Sequence, residues 1–259
     1  MQIEQARVVK HEQFSGDYRL LTLEAPVISA LVEPGQFVHV RVPRLEQSVL
    51  RRPFSVYQSA SGRLGILYKQ VGKGTEALAR VVAGEALNVI GPLGNGFPVP
   101  EPGTLPVLVA GGYGVAPLRL LASRLKDKGI LFVGGRTAGD ILCVQDFEAM
   151  GWPVQVATED GSMGTRGWVT SVLDSWLELN PGKLMTFYAC GPDGMLKAVG
   201  ERAVRCASVA WLSLDKHMGC GVGACLACVQ KIRLPDGEEV LERVCREGPV
   251  FEAREIVWP

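Results

Sequence analysis

The chain has 259 residues, of which 47% are apolar, and its 27 Lys and Arg balance 27 Asp and Glu to zero formal net charge. That length supports two core-bearing domains and a small third module, and the balanced charge argues against a broad basic face for nucleic acid. There is no apolar run of about 20 residues to span a bilayer, and the opening MQIEQARVVK lacks a signal peptide's basic-then-apolar pattern. The expected location is therefore the cytoplasm.

Residues 1–98 read as all-β. Apolar and polar residues alternate in Asp17–Glu24 and Gln36–Val42, and Phe54–Gln58 and Leu64–Val71 are further strand-like runs. Turn signals at Ser15-Gly16, Glu33-Pro34-Gly35 and Ser61-Gly62 separate them. Short strands at this spacing predict a barrel, interrupted by one helix over Thr75–Val82 with Thr75 as N-cap. Within it, Arg52-Pro53-Phe54-Ser55 follows a Pro43–Ser48 loop and opens a strand. An Arg beside a hydroxyl forms a charge-assisted clamp for a diphosphate, and Pro53 fixes the strand entry. The segment Tyr68 to Thr75, with Gly72-Lys73-Gly74-Thr75, sits at a strand-to-helix junction, where backbone amides favour an anion and Gly74 allows close approach. The two segments would form one phosphate cradle. The competing reading is a barrel turn with an exposed Arg. The Gly72–Thr75 stretch lacks the frame of a P-loop.

A Gly/Pro boundary at Gly91–Pro102 precedes a change of grammar. From residue 104, apolar strands at Pro106–Ala110, Ile130–Val133, Val154–Ala157 and Leu184–Ala189 alternate with helices over 115–127, 167–178 and 192–204. Such alternation predicts a parallel sheet covered on both faces. The first strand runs into Gly111-Gly112-Tyr113-Gly114, and the last ends in Cys190-Gly191-Pro192. Both turns lie where open α/β sheets bind nucleotides, although close helix–strand packing also selects Gly. Arg136 is placed either to meet a 2′-phosphate or to face solvent.

The tail from residue 211 carries four of the seven cysteines. Cys220, Cys225 and Cys228, then Cys245 after sixteen residues, give C-x4-C-x2-C…C, the spacing of a plant-type [2Fe–2S] site. Four thiolates must converge on a small inorganic core, and Gly219, Gly221 and Gly223 let the loop bend. Zinc and inert buried thiols are the competing readings. Structural zinc more often uses paired C-x2-C arms, and only one is present. Cys143 and Cys206 read as small buried hydrophobes, and His217 as a polar neighbour of the loop.

The order of these motifs resembles the ferredoxin-reductase superfamily. Within it, the chain is similar to the electron-transfer subunits of class 1B dihydroorotate dehydrogenase. The sharpest match is MGCGVGACLAC from Met218 with VCREGPVF from Val244, and the resemblance covers essentially the whole chain. The nucleotide turn departs slightly, with Tyr113 in place of an aliphatic residue. The resemblance implies an FAD-binding β-barrel (1–98), a Rossmann-like NAD-binding α/β domain (104–210) and a [2Fe–2S] module (211–259). It implies that Arg52, Pro53, Phe54 and Ser55 contact FAD, that Leu67, Tyr68, Lys69, Gly74 and Thr75 complete that site, and that the four clustered cysteines ligate the iron. Gly111, Gly112, Gly114, Cys190, Gly191 and Pro192 would serve NAD. In such a family, dihydroorotate reduces an FMN on a separate catalytic subunit during pyrimidine biosynthesis, and electrons pass through the cluster and FAD to NAD+. The partner would join in a two-plus-two heterotetramer, docking by apolar contacts around Met218 and Leu226, and this chain would carry no catalytic residue of its own. A ferredoxin–NAD(P) transhydrogenase subunit or hydrogenase diaphorase is the nearest alternative, and a redox sensor or zinc-stabilised binding module the more distant one.

Overall fold

The computed structural model describes residues 1–44 and 50–259. All but Pro43 and Arg44 of the Pro43–Ser48 loop lies outside the described residues. The N-terminal part is a seven-stranded antiparallel sheet. Its elements are β1 (Gln2–Ser15), β2 (Tyr18–Glu24), α1 (Pro26–Leu31), β3 (Phe37–Val40), β4 (Arg52–Ser55), β5 (Gln58–Ala60), β6 (Arg63–Lys69), α2 (Lys73–Leu78) and β7 (Ala86–Leu93). The pairing order is β4-β3-β7-β1-β2-β6-β5. The run read as one strand, Phe54–Gln58, is two: β4 pairs with β3 at one end of the order and β5 with β6 at the other. Between them the Val56 amide donates to the Gln36 carbonyl and the Tyr57 amide to the Gly65 carbonyl. Nine residues thus carry the chain from one edge to the other and curl the sheet on itself. Alternation sets the inner face, with Leu21, Leu23, Val38, Val40, Leu64 and Ile66 packed in one core.

The second sheet contains β8 (Leu105–Gly111), β9 (Ile130–Gly135), β10 (Val154–Thr158), β11 (Thr165–Arg166), β12 (Met185–Cys190) and β13 (Val209–Ser213). Its helices are α3 (Val115–Arg124), α4 (Val144–Ala149), α5 (Val169–Glu178) and α6 (Asp193–Arg205). The strand order is β11-β10-β9-β8-β12-β13, all parallel, closed at one edge by an antiparallel strand, β16 (Val250–Glu252). Strands covered on both faces read as unbroken apolar runs, and all residues of Met185–Cys190 are buried. The chain builds outward from β8 on one side and then on the other, so the order reverses between β8 and β12. A crevice opens there beyond the strands' C-terminal ends. A two-stranded hairpin, β14 (Val229–Arg233) and β15 (Glu239–Arg243), completes the tail. Cys228, Ile232, Val244 and Cys245 share the core of the parallel sheet with Phe187 and Leu212.

Two tyrosines of the curled sheet reach carboxylates on the α/β part. The Tyr18 hydroxyl donates to Asp140 Oδ1 at 2.8 Å, and the Tyr57 hydroxyl to Asp146 Oδ2 at 2.6 Å. Burial raises both phenol pKa values, followed by Asp140 for Tyr18 and by Cys143 and then Asp146 for Tyr57, so both stay donors. Among the described residues no helix is long and apolar enough to cross a membrane. Tyr57→Phe keeps the ring under the Arg119 guanidinium and deletes one charge-assisted hydrogen bond. Urea unfolding should show a loss of about 1.5 kcal/mol, the low end for a charged partner because Asp146 is partly exposed.

Candidate functional site

The curled sheet, the crevice of the parallel sheet and the cysteine-rich tail meet at one cleft. The curled sheet contributes Arg52, Pro53, Phe54 and Ser55 from β4 and Leu67, Tyr68 and Lys69 from the end of β6. The crevice adds Tyr113, Gly114 and Cys190, and the tail adds Asp215, Met218 and Pro249. A larger depression of about 540 Å³ lies at α6 beside Asp174 and Trp258, away from all the motifs. Its Arg202 is already paired with Asp174, so the motif-bearing cleft is the better candidate.

The two segments of the phosphate cradle do come together. A Cβ on Gly74 would lie 2.6 Å from Arg52 Nε, so the guanidinium rests where any other residue would put a side chain. Arg52 Nη1 donates to the Leu50 carbonyl at 2.7 Å, which orients the head. Thr75 is not the N-cap. It lies in the first turn of α2, and its Oγ1 accepts from the Val71 and Gly72 amides at 2.8 and 3.2 Å. The hydroxyl folds the glycine turn back, and that turn supplies the helix start. Lys69 adds a second cation, held at 3.1 Å from Asp140. The Phe54 and Tyr68 rings stand 5.5 Å apart. Two cations in a cleft otherwise lined mostly by aromatic and aliphatic groups, with a few hydroxyls and Asp215, fit a flat heteroaromatic ring carrying a phosphate chain.

The two nucleotide turns pack against each other at the reversal between β8 and β12. A Cβ on Gly114 would come within 2.1 Å of the Cys190 carbonyl oxygen, and one on Gly111 within 2.8 Å of Pro192 Cδ. Gly191 approaches the Gly111 amide similarly. Gly112, at φ +53°, starts a short 3-10 turn that leads into α3. Cys190 is buried and its thiol is pushed up to about 12, by burial first and then by Asp215. Tyr113 is half exposed over the cleft, and its hydroxyl donates to Asp215 at 3.0 Å. Arg136 is largely exposed at the end of β9.

The four clustered cysteines assemble as two pairs. The thiols of Cys220 and Cys225 are within hydrogen-bonding reach of each other, as are those of Cys228 and Cys245. Among the described residues no three His, Cys, Asp or Glu side chains close on a single-ion point; the thiols are shared two and two. Backbone amides already aim at them. Val222 and Ala224 donate to Cys220 Sγ at 3.4 and 3.3 Å, Cys220 to Cys225 Sγ at 3.4 Å, and Cys245 to Cys228 Sγ at 3.4 Å. Burial opposes ionisation of Cys220, but the amides of Val222, Cys225 and Ala224, followed by the Cys225 thiol, outweigh it and hold the thiol down to about 6. Burial, then its Cys228 neighbour, raises Cys245. Amide donors on paired thiols suit thiolates bound to a two-iron sulfide core. Cys143 is remote from this set, buried in the left-handed region at φ +63° beside Asp146, with its thiol raised to about 12, first by burial. Cys206 is half-buried at the end of α6. His217 is exposed.

Sequence reasoning passed over Phe37, Asp215, Pro249 and His39. Phe37 lines the cleft. His39 is 1% exposed beside the cysteine loop, and burial, then Arg51 and Arg52, push it down to about 4. The alternation of Gln36–Val42 held the signal, since it puts Phe37 and His39 on one face and the valines on the other. Met218 turns into the cleft, whereas Leu226 is 61% exposed.

Three family models match consecutive stretches of the chain. Residues 5–97 match the oxidoreductase FAD-binding domain, 108–201 the oxidoreductase NAD-binding domain, and 215–257 the iron–sulfur cluster binding domain of dihydroorotate dehydrogenase B. Among whole proteins, the dihydroorotate dehydrogenase B (NAD+) electron transfer subunit of Bacillus caldolyticus is 42% identical over 92% of this chain and 91% of its own. The subunit of the same description from Desulforamulus reducens is 39% identical over 92% of each. A chain in the structure of an NADH-dependent reduced ferredoxin-NADP oxidoreductase superposes with TM-score 0.86 at 29% identity, covering 98% of this chain and 90% of that one.

The packing at the crevice gives a pair of contrasting substitutions. Gly114→Ala forces a methyl into the Cys190 carbonyl and should cost about 1–3 kcal/mol in chemical unfolding. Gly194→Ala, with nothing within 4 Å of the added carbon, should be neutral or stabilising by up to about 1 kcal/mol.

Proposed function

The chain belongs to the family of dihydroorotate dehydrogenase B (NAD+) electron transfer subunits, and from that membership we propose that its cleft joins three carriers: a [2Fe–2S] centre, an FAD and NAD(H). One observation carries the reading. Residues from all three parts line a single cleft, and two of the tail's lining residues, Met218 and Pro249, lie two residues before Cys220 and four after Cys245. Groups held by the cysteines and by the cleft are therefore neighbours along two short stretches of backbone.

We assign the work as follows. Arg52 and Lys69 neutralise the FAD diphosphate, and the missing side chain of Gly74 lets Arg52 sit against the turn of α2. Pro53, Phe54, Ser55, Leu67, Tyr68 and Thr75 shape the rest of the flavin site and keep water from it. Gly111, Gly112 and Gly114, with Cys190, Gly191 and Pro192, offer the nucleotide a close backbone approach at the reversal of strand order. Cys220 and Cys225 hold one iron, and Cys228 and Cys245 the other. The flavin handles one or two electrons and the cluster one at a time, so together they link single-electron steps to hydride exchange with NAD. The segments 1–98, 104–210 and 211–259 correspond to these three tasks. The partner is an FMN-bearing catalytic subunit in a two-plus-two assembly. Exposed Val222 and Leu226, at the outer side of the cysteine loop, are the apolar contacts it would cover.

Protein prepared anaerobically should contain stoichiometric FAD and about two irons and two acid-labile sulfides per chain. Stoichiometric zinc without sulfide would contradict the reading. Cys228→Ser should lose the cluster, and Cys143→Ser should keep it.

Arg52→Ala removes a charged partner of the diphosphate, a loss of about 1.5–3 kcal/mol. The FAD dissociation constant, measured by flavin fluorescence, should rise tenfold to a hundredfold. Unchanged affinity would mean the cradle lies elsewhere.

A further inference from the structure

β3 turns Val38 and Val40 into the core of the curled sheet and Phe37 and His39 to its outer side. Phe37 lines the cleft. His39 stands one step further along that face, beyond the lining of the cleft, with its ring 5.7 Å from that of Phe37. There it meets the cysteine loop. A Cβ on Gly221 would lie 2.4 Å from His39 Cε1, 2.6 Å from Nδ1 and 2.7 Å from Nε2. Gly221 directly follows Cys220 and takes φ +71°, so the loop folds over the imidazole at a point where it has no side chain.

His39 is 1% exposed, yet neither ring nitrogen has a hydrogen-bond partner. A buried polar group left unsatisfied is costly and rare in folded proteins. A neutral imidazole always carries one N–H and must place it on an acceptor. The amides of Val222 and Ala224 on the same loop point at sulfur, which makes sulfur the acceptor chemistry of this spot. Arg51 and Arg52 stand close enough to bias the ring, and they add positive potential that favours an electron-rich acceptor.

We propose that His39 donates a hydrogen bond from its ring N–H to a sulfur of the [2Fe–2S] centre held by Cys220, Cys225, Cys228 and Cys245, positioning the centre against the flavin cleft and raising its reduction potential. The proposal rests on the function assigned above. Reduction adds one negative charge to the centre, so a donor on its sulfur stabilises the reduced form more than the oxidised one.

The test uses the complete chain with its cofactors. His39→Phe keeps a ring of similar size and deletes the N–H. Iron and sulfide counts come first: a wild-type chain without them contradicts the function itself, and His39 with it. In loaded protein, a redox titration read by the electron paramagnetic resonance of the reduced cluster compares the two chains. At the potential that half-reduces the wild-type cluster, the variant's ratio of reduced to oxidised cluster should fall about tenfold, equivalent to about 59 mV for a one-electron couple. An unchanged ratio overturns the proposal. If the variant does not load, His217→Gln protein grown with isotope-labelled histidine gives the answer with His39 intact. Its other histidine, His11, is bound to Val81 and Tyr68. Pulsed resonance of the reduced cluster should then show coupling to a labelled ring nitrogen, and its absence overturns the proposal.

Discussion

The antiparallel pairing of β13 with β16 is the constraint on which the placement of the cysteine-bearing tail depends. Trp211, Leu212 and Ser213 pair with Glu252, Phe251 and Val250 at the edge of the parallel sheet. The tail leaves that edge at Leu214 and returns to it at Pro249, and the Leu214 amide donates to the Pro249 carbonyl at 2.9 Å. Both ends of the cysteine segment are therefore fixed within a few ångströms of each other. Between them the β14–β15 hairpin is tied back by the Val244 amide to the Cys228 carbonyl at 3.0 Å. Asn95, just beyond β7, receives the loop from the other side, its amide donating to the Gly248 carbonyl and its side chain to that of Glu247. These clamps hold the cysteine segment beside the cleft.

Close approach does the remaining work, and it depends on missing side chains. At Gly74 the absent Cβ leaves room for the Arg52 guanidinium, and at Gly221 for the His39 ring. Each contact joins segments far apart in sequence, and each brings a nitrogen donor to a place where negative charge is expected. Hydrogen bonding and compactness are thus obtained together. The paired Tyr18–Asp140 and Tyr57–Asp146 contacts then hold the curled sheet against the α/β part.

The sequence carried much of this in advance, and unevenly. Spacing alone announced the cysteine set, because a cluster needs its ligands at fixed separations in one loop. The parallel strands were equally legible, since burial on both faces makes them continuous apolar runs. The long β1 was not separated out: its first half pairs with β7 and its second with β2, and the pairing with β2 shifts register between Val8 and Lys10 and again between Gln13 and Ser15, which blurs a simple alternation. The short helices α1 and α4 span only six residues each, too few to show a period. Thr75 resembled a cap by residue type, but its hydroxyl serves the turn from inside the first helical turn. His39 could be placed on a face by alternation, but its neighbour on the cysteine loop lies far along the chain. Only the fold shows that the pair meet.

The proposed order of carriers has the cysteine pairs standing between the exposed loop assigned to the partner and the cleft assigned to the flavin. Stopped-flow absorbance on the assembled complex separates the two half-reactions when Cys225→Ser removes the cluster. Dihydroorotate should still reduce the flavin of the partner subunit at its normal rate, while reduction of NAD+ through this chain should stop. Reduction of NAD+ at the normal rate in the cluster-free complex would show that electrons reach the cleft by another route.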